Sequence, residues 1–119
     1  MAENAHFSGV VSPGGTETVS IDCSAACISQ DECLPAIYTY MSSYFVIDGI
    51  TIKNCGNSAS GAVVISGNSD MDVGNSTSIS NSRIIDSNGN GIYIYSAHRA
   101  IVHKVFISGA SVDGIRVGR

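Results

Sequence analysis

The stretch Val46-Ile47-Asp48-Gly49-Ile50-Thr51-Ile52-Lys53-Asn54 returns twice without a gap, as Ser78 to Asp86 and as Ile101 to Gly109. Apolar residues keep the register: one column reads Ile47, Ile79, Val102 and another reads Ile52, Ile84, Ile107. A third reads Ile50, Ser82, Val105, and nothing in the sequence accounts for the serine. The block closes on Asn54, Asp86 or Gly109, residue types that tolerate left-handed backbone and let a strand end abruptly. Successive copies lie 32 and 23 residues apart.

A second kind of segment alternates with the first: Ala36 to Tyr40, Gly61 to Ile65, Gly91 to Tyr95 and Gly114 to Gly118. Aligned by their starts, Ile37, Ala62, Ile92 and Ile115 form one column, and Thr39, Val64, Ile94 and Val117 another. Residues two apart in a strand share a face, so both columns are expected to point into a common interior. Tyr38, Val63, Tyr93 and Arg116 then point outward, with Tyr40, Ile65 and Tyr95 in the next column. Neither kind of strand can bury its own apolar face alone, and the two recur in fixed order at a period of ~23 residues, which is the pattern of a stacked solenoid. A β-sandwich with turns at similar spacing is the competing fold, but sandwiches rarely keep like columns in register.

The composition agrees. Of 119 residues, 44% are hydrophobic, 13% are charged and 13 are glycine, which points to a folded all-β chain with tight turns and excludes a disordered tail or a charge-laced helical bundle. The formal charge is −4 with no basic run, so nucleic acid is not an expected partner. No apolar stretch approaches the ~20 residues of a membrane span, and Met1-Ala2-Glu3-Asn4 lacks the regions of a signal peptide.

Residues 1–34 fit the repeat less well and read as a cysteine-rich opening coil or cap. Phe7 to Val11 and Thr18 to Asp22 are predicted strands around a Pro13-Gly14-Gly15 turn, and Ser24 to Leu34 a short capping helix. Cys23, Cys27, Cys33 and Cys55 allow three disulfide pairings, among which the sequence does not choose. The alternatives are a zinc site, disfavoured by irregular spacing and the lack of a nearby histidine, and buried thiols. From residue 35 to 119 the coils follow, about four to five in all, with a long loop at 66–77. Gly114 to Arg119 enters a further coil, so either the chain is a fragment of a longer protein or its open end pairs with another subunit.

The stretches Tyr44 to Cys55 and Ser87 to Ile94 resemble the repeats of right-handed parallel β-helix proteins of the pectin-lyase-like kind, such as pectate lyases, alginate lyases and phage tailspikes. The resemblance covers roughly Ala36 to Gly118 and rests on a degenerate pattern, which speaks for coils more than for chemistry. It implies a secreted or cell-surface, carbohydrate-associated domain that binds or cleaves an anionic polysaccharide. The polygalacturonase segments Gly-His-Gly and Arg-x-Lys are absent, which leaves lyase chemistry as the enzymatic expectation. β-Elimination needs a base and a cation beside the substrate carboxylate, and Lys53 and Arg83, with His103 as a further base, are the candidates. Solvated surface charge is the commoner role for such residues.

Tyr38, Tyr40, Tyr93 and Tyr95 are the candidate sugar-stacking residues, with His98 and Arg99 as a small positive patch for an anionic group. Asp70 and Asp72, in the long loop, weakly resemble a calcium loop that lacks its bidentate glutamate. No cofactor is required, with calcium as the one candidate. The alternative function is a non-catalytic structural or adhesive module, of the surface or tail-fibre type, that forms a homo-oligomer through its open coil end or tyrosine face.

Overall fold

Each nine-residue block is a pair of short strands meeting at a corner. The computed structural model describes residues 4–8, 19–27, 33–40, 44–67, 76–97 and 99–118. In chain order its strands are β1 (Asn4–Ser8), β2 (Ser20–Asp22), β3 (Ile37–Tyr40), β4 (Tyr44–Asp48), β5 (Thr51–Lys53), β6 (Gly61–Ser66), β7 (Ser76–Ser80), β8 (Arg83–Ile85), β9 (Asn90–Tyr95), β10 (Ile101–His103), β11 (Phe106–Ser108) and β12 (Ile115–Gly118). The fold is all-β, with a single 3-10 turn at Ser24–Ala26 among the described residues.

Every strand pairs in parallel with the strand three places along. The sheets are β1-β4-β7-β10, β2-β5-β8-β11 and β3-β6-β9-β12, so each consecutive triplet of strands contributes one strand to each sheet. This topology is compatible with a parallel β-helix. The register follows the apolar columns: Ile47 is opposite Ile79 and Ile79 opposite Val102, while Ile52, Ile84 and Ile107 align in the second sheet. These isoleucines join Val63, Ile65, Ile92 and Ile94 of the third sheet in one core. The last triplet is the most regular, offset by 23 residues from its predecessor in all three sheets.

The corners explain the closing residues of the block. Asn54, Asp86 and Gly109 have φ of 55°, 54° and 71°, and the corner between the two strands of the block repeats the device at Gly49, Asn81 and Lys104. Left-handed backbone at equivalent positions turns the chain without breaking the ladder, because the amides still reach the next triplet: Asn54 N–H donates to Ile85 O at 3.1 Å and Asp86 N–H to Ser108 O at 2.8 Å. Ser82, the flaw in the third column, is a polar part of the same corner. Its buried hydroxyl donates to Ser80 O at 2.7 Å and accepts the Ile50 N–H at 3.3 Å, which gives a buried amide a partner.

Two expectations need correction. The third sheet pairs Val63, not Ala62, with Ile37 and Ile92, so β6 is shifted by one residue. Ile65 therefore faces the core opposite Thr39 and Ile94, and Val64 and Ser66 take the outward places. Ala62, Val63, Val64 and Ile65 are all buried, and a strand apolar on both faces hides the alternation that would reveal its parity. The helix expected over Ser24 to Leu34 is one 3-10 turn that ends in extended backbone at Cys27; residues 28–32 lie outside the described set. Of the opening strands expected from Phe7 to Val11 and from Thr18 to Asp22, the described strand residues are Phe7 and Ser8 in β1 and Ser20 to Asp22 in β2; residues 9–18 lie outside the described set.

All four cysteines are in disulfides, Cys23–Cys55 and Cys27–Cys33, which removes the zinc alternative and accords with an oxidising environment. Cys23–Cys55 ties the end of β2 to the end of β5, across two triplets. Cys33 N–H donates to Gly56 O at 3.2 Å and Gly56 N–H to Leu34 O at 2.9 Å, so the second bridge lies in a segment hung on the same neighbour.

Two outcomes follow from this arrangement. Ser82→Ala strands the buried Ile50 amide and should lower unfolding stability by about 1–3 kcal/mol in denaturant titration, whereas Ser78→Ala on the outer face should stay within about 0.5 kcal/mol. Replacing Cys23 and Cys55 together by serine opens a loop of 32 residues and should cost roughly 3–4 kcal/mol on the chain-entropy scale.

Candidate functional site

The outer face of the third sheet carries two columns, Tyr38, Val64, Tyr93, Arg116 and Tyr40, Ser66, Tyr95, Gly118. Tyr38, Tyr40 and Tyr95 are exposed and Tyr93 is half-buried. Val64 stands between Tyr38 and Tyr93 and is only 4% exposed although it faces out. The Tyr93 and Tyr95 rings lie 6.1 Å apart, tilted by 37°. A Cβ at Gly118 would meet the Tyr93 hydroxyl at 3.5 Å and the Tyr95 ring at 3.7 Å, so both rings flank the end of β12.

Beside Tyr93 the sheet opens into a shallow cleft of about 260 Å³ lined by Ser58, Ala59, Asn90, Tyr93 and Arg116. Its walls are set by local hydrogen bonding. Asn57 Oδ1 accepts the Ala59 N–H at 3.0 Å and the Ser60 hydroxyl at 3.2 Å, a side-chain-closed turn that presents Ser58 and Ala59. Asn90 is buried at the start of β9, where its Nδ2 donates to Ser60 O at 2.6 Å and its Oδ1 accepts the Asp113 N–H at 3.2 Å. One side chain thus fixes the turns before β6 and before β12, and with them the spacing between Ser58 and Arg116. An aromatic wall, a hydroxyl and an exposed guanidinium together can stack a ring and hold an anionic group. Arg116 and the cleft residues Ser58 and Asn90 were missed as site residues in the sequence, where only the tyrosines stand out.

The remaining candidates fall on other faces. Lys53 and Arg83 are exposed on adjacent strands of the second sheet, Lys53 opposite Ile85 and Arg83 opposite Thr51. The Arg83 guanidinium lies 5.5 Å from the ring centre of the exposed Phe106, its column neighbour on β11. Phe106 was also missed, although the nine-residue alignment puts it level with Arg83. His103 is exposed at the end of β10 in the first sheet, in a column with Ser80 and Asp48. Asp48 Oδ1 accepts the Ser80 hydroxyl at 3.1 Å and Asn81 Nδ2 at 2.8 Å. Arg99 is an exposed left-handed residue between β9 and β10. His98, Asp70 and Asp72 lie outside the described residues. Among the described residues no group of three or more His, Cys, Asp or Glu is placed to hold a metal ion, and no helix is long and apolar enough to cross a membrane.

One carboxylate is tuned by its surroundings. Asp22, at the end of β2, accepts the Ser24 hydroxyl and the Ser24 N–H, the latter at 3.0 Å, and Asn54 Nδ2 at 3.1 Å. These bonds, the serine hydroxyl foremost, hold its pKa at about 2.

No family model matches the chain, and neither the curated proteins nor the solved structures contain a match.

A lowered carboxylate pKa stabilises the fold above the unfolded value, and that stability is lost as the pH falls through the folded value. The contribution of Asp22 should therefore be complete above pH 3.8 and disappear as the pH approaches 2. Asp22→Asn is expected to flatten the acid limb of a pH–stability profile in that window, measured as Tm against pH.

Proposed function

We propose that the chain is a right-handed parallel β-helix of the pectin-lyase-like kind, secreted or displayed at a cell surface, that binds an anionic polysaccharide on the tyrosine face of its third sheet. The observation that carries this reading is the exposed aromatic face bounded by Arg116, with a cleft of about 260 Å³ opening between Tyr93 and that guanidinium. Tyrosine rings stack on the apolar faces of pyranose rings at low entropic cost, and a guanidinium pairs with a uronate carboxylate through a planar fork. The β9–β12 ladder sets Arg116 beside Tyr93 and the buried Asn90 holds the turns on either side of the cleft, so less ordering is needed when a sugar arrives.

The more specific form is a polysaccharide lyase. In β-elimination a base takes the proton beside the uronate carboxylate, a carbon–carbon double bond forms, and the glycosidic carbon–oxygen bond breaks with its electron pair leaving on oxygen. Lys53 and Arg83 on the second sheet are the proposed base and carboxylate partner, with His103 on the first sheet as the alternative base. Calcium at Asp70 and Asp72 is the proposed metal contribution. Lyase chemistry on the second sheet and sugar stacking on the third use different faces, so the two are separable by mutation.

Titration with a panel of uronate and neutral polysaccharides, followed calorimetrically, tests the binding reading. Arg116→Ala should weaken binding of an acidic polymer roughly tenfold or more and leave neutral polymers unaffected, and Tyr93→Ala should weaken both. Binding that is indifferent to both variants sinks the assignment of this face. The same panel, with and without calcium, tests the lyase: the ultraviolet absorbance of the unsaturated product should appear and be lost in Lys53→Ala and Arg83→Ala.

A further inference from the structure

Tyrosine recurs on every second strand of the third sheet. Tyr38 and Tyr40 stand on the outer face of β3, Tyr93 and Tyr95 on that of β9, and β6 between them presents Val64 and Ser66. Parallel pairing in register aligns these residues column by column, so the tyrosines form two aromatic ridges two strand spacings apart, ~9.6 Å. Tyr38, Tyr40 and Tyr95 are exposed, and the half-buried Tyr93 lines the cleft. One strand beyond Tyr93, ~4.8 Å along the same column, stands Arg116, which lines it too.

The relief of this face decides how a polymer can lie on it. A chain running along the strands, between the ridges, would have to rest on Val64, and Val64 is only 4% exposed. A chain running across the strands meets Tyr38, the short Val64, Tyr93 and Arg116 in turn, at one strand spacing each. That spacing is close to the advance of one sugar in an extended polysaccharide. Where 1,4 glycosidic bonds are equatorial, successive rings turn over, so the same apolar face returns at every second sugar. The aromatic ridges and the sugar faces then share one period, and the carboxylate of the ring after the second stacked one falls at Arg116. Axial 1,4 bonds buckle the chain, so its rings do not lie flat along one face.

We infer that the ridges select an extended uronan with equatorial 1,4 bonds, laid across the strands with one tyrosine for each pair of sugars and an acidic group on Arg116. This deepens, and depends on, the proposed binding of an anionic polysaccharide at the same face. It narrows the ligand class: a β-1,4-linked glucuronate fits, and an α-1,4-linked galacturonate of equal charge does not. Tyr38 is the specificity-determining residue of the far subsite, since a ligand anchored at Arg116 reaches it only with its fourth sugar.

The test is an NMR titration of the full chain, which reads weak affinities, with di- and tetrasaccharides of β-1,4-linked glucuronate and of α-1,4-linked galacturonate. Far-ultraviolet circular dichroism verifies the fold of each variant. The glucuronate tetrasaccharide should bind roughly tenfold tighter than its own disaccharide and than the galacturonate tetrasaccharide. Tyr38→Ala should bring the glucuronate tetrasaccharide down to the affinity of the disaccharide and leave the disaccharide unchanged, a split that a merely structural effect of the substitution does not produce. Equal affinity for the two tetrasaccharides overturns the inference, and so does a glucuronate tetrasaccharide indifferent to Tyr38→Ala or no tighter than its disaccharide. In each of these cases uronate binding that is lost in Arg116→Ala leaves the wider proposal standing. Absence of binding by every uronate overturns both.

Discussion

A strand of three to six residues in this chain has no sequence neighbour with which to pair; its backbone groups are satisfied by the strand three elements away. That constraint organises the rest. Parallel pairing in strict register sets each residue over its counterpart in the next triplet, so any choice of side chain is repeated or answered along a column. Isoleucine answers isoleucine in the first and second sheets, and left-handed Asn54, Asp86 and Gly109 answer one another at the corner. A single residue out of step would unpair a backbone amide inside the core, which is costly when no water can replace the partner.

Where the columns are interrupted, polar side chains take over what the backbone cannot complete. Ser82 closes on Ser80 O and the Ile50 amide, Ser87 donates to Asn90 O at 2.6 Å, and Ser111 donates to Ser87 O at 3.0 Å. Asn54 reaches back to Asp22 and Ser24, and Asn88 Nδ2 lies 3.0 Å from Cys33 Sγ. The contacts of Ser82 with Ile50, Ser111 with Ser87, Asn54 with Asp22 and Ser24, and Asn88 with Cys33 join different turns of chain, as the Cys23–Cys55 bridge does covalently. A small core is thereby supplemented at the corners, where apolar burial contributes least.

The surfaces left over differ by sheet. The third sheet presents tyrosines and a guanidinium, the second presents Lys53, Arg83 and Phe106, and the first presents serines with Asp48 and His103. The face with the built cleft is the one where Asn90 fixes the turns before β6 and β12 at once, and the β9–β12 ladder sets Tyr93 beside Arg116. Phe106 and Arg83 form a second aromatic and cationic surface, on the second sheet.

Repetition is legible in a linear sequence, because a column is a list of like residues at regular spacing. The all-β composition, the shared columns of Ile47 with Ile79 and of Ile52 with Ile84, and the left-handed closing positions could therefore be read directly. The number of strands per repeat could not, since the corner at Gly49 and Ile50 lies inside what looks like one continuous apolar block. Nor could the parity of β6, whose four consecutive buried residues satisfy either register; pairing with β3 and β9 made that choice. The cysteine partners and the meeting of Ser58, Asn90, Tyr93 and Arg116 were likewise decided only in three dimensions. Cys23 and Cys55 are 32 residues apart, and Asn90 is 30 residues from Ser60 and 23 from Asp113; what brings them together is the hydrogen-bond ladder between triplets, a long-range interaction with no local sequence signature.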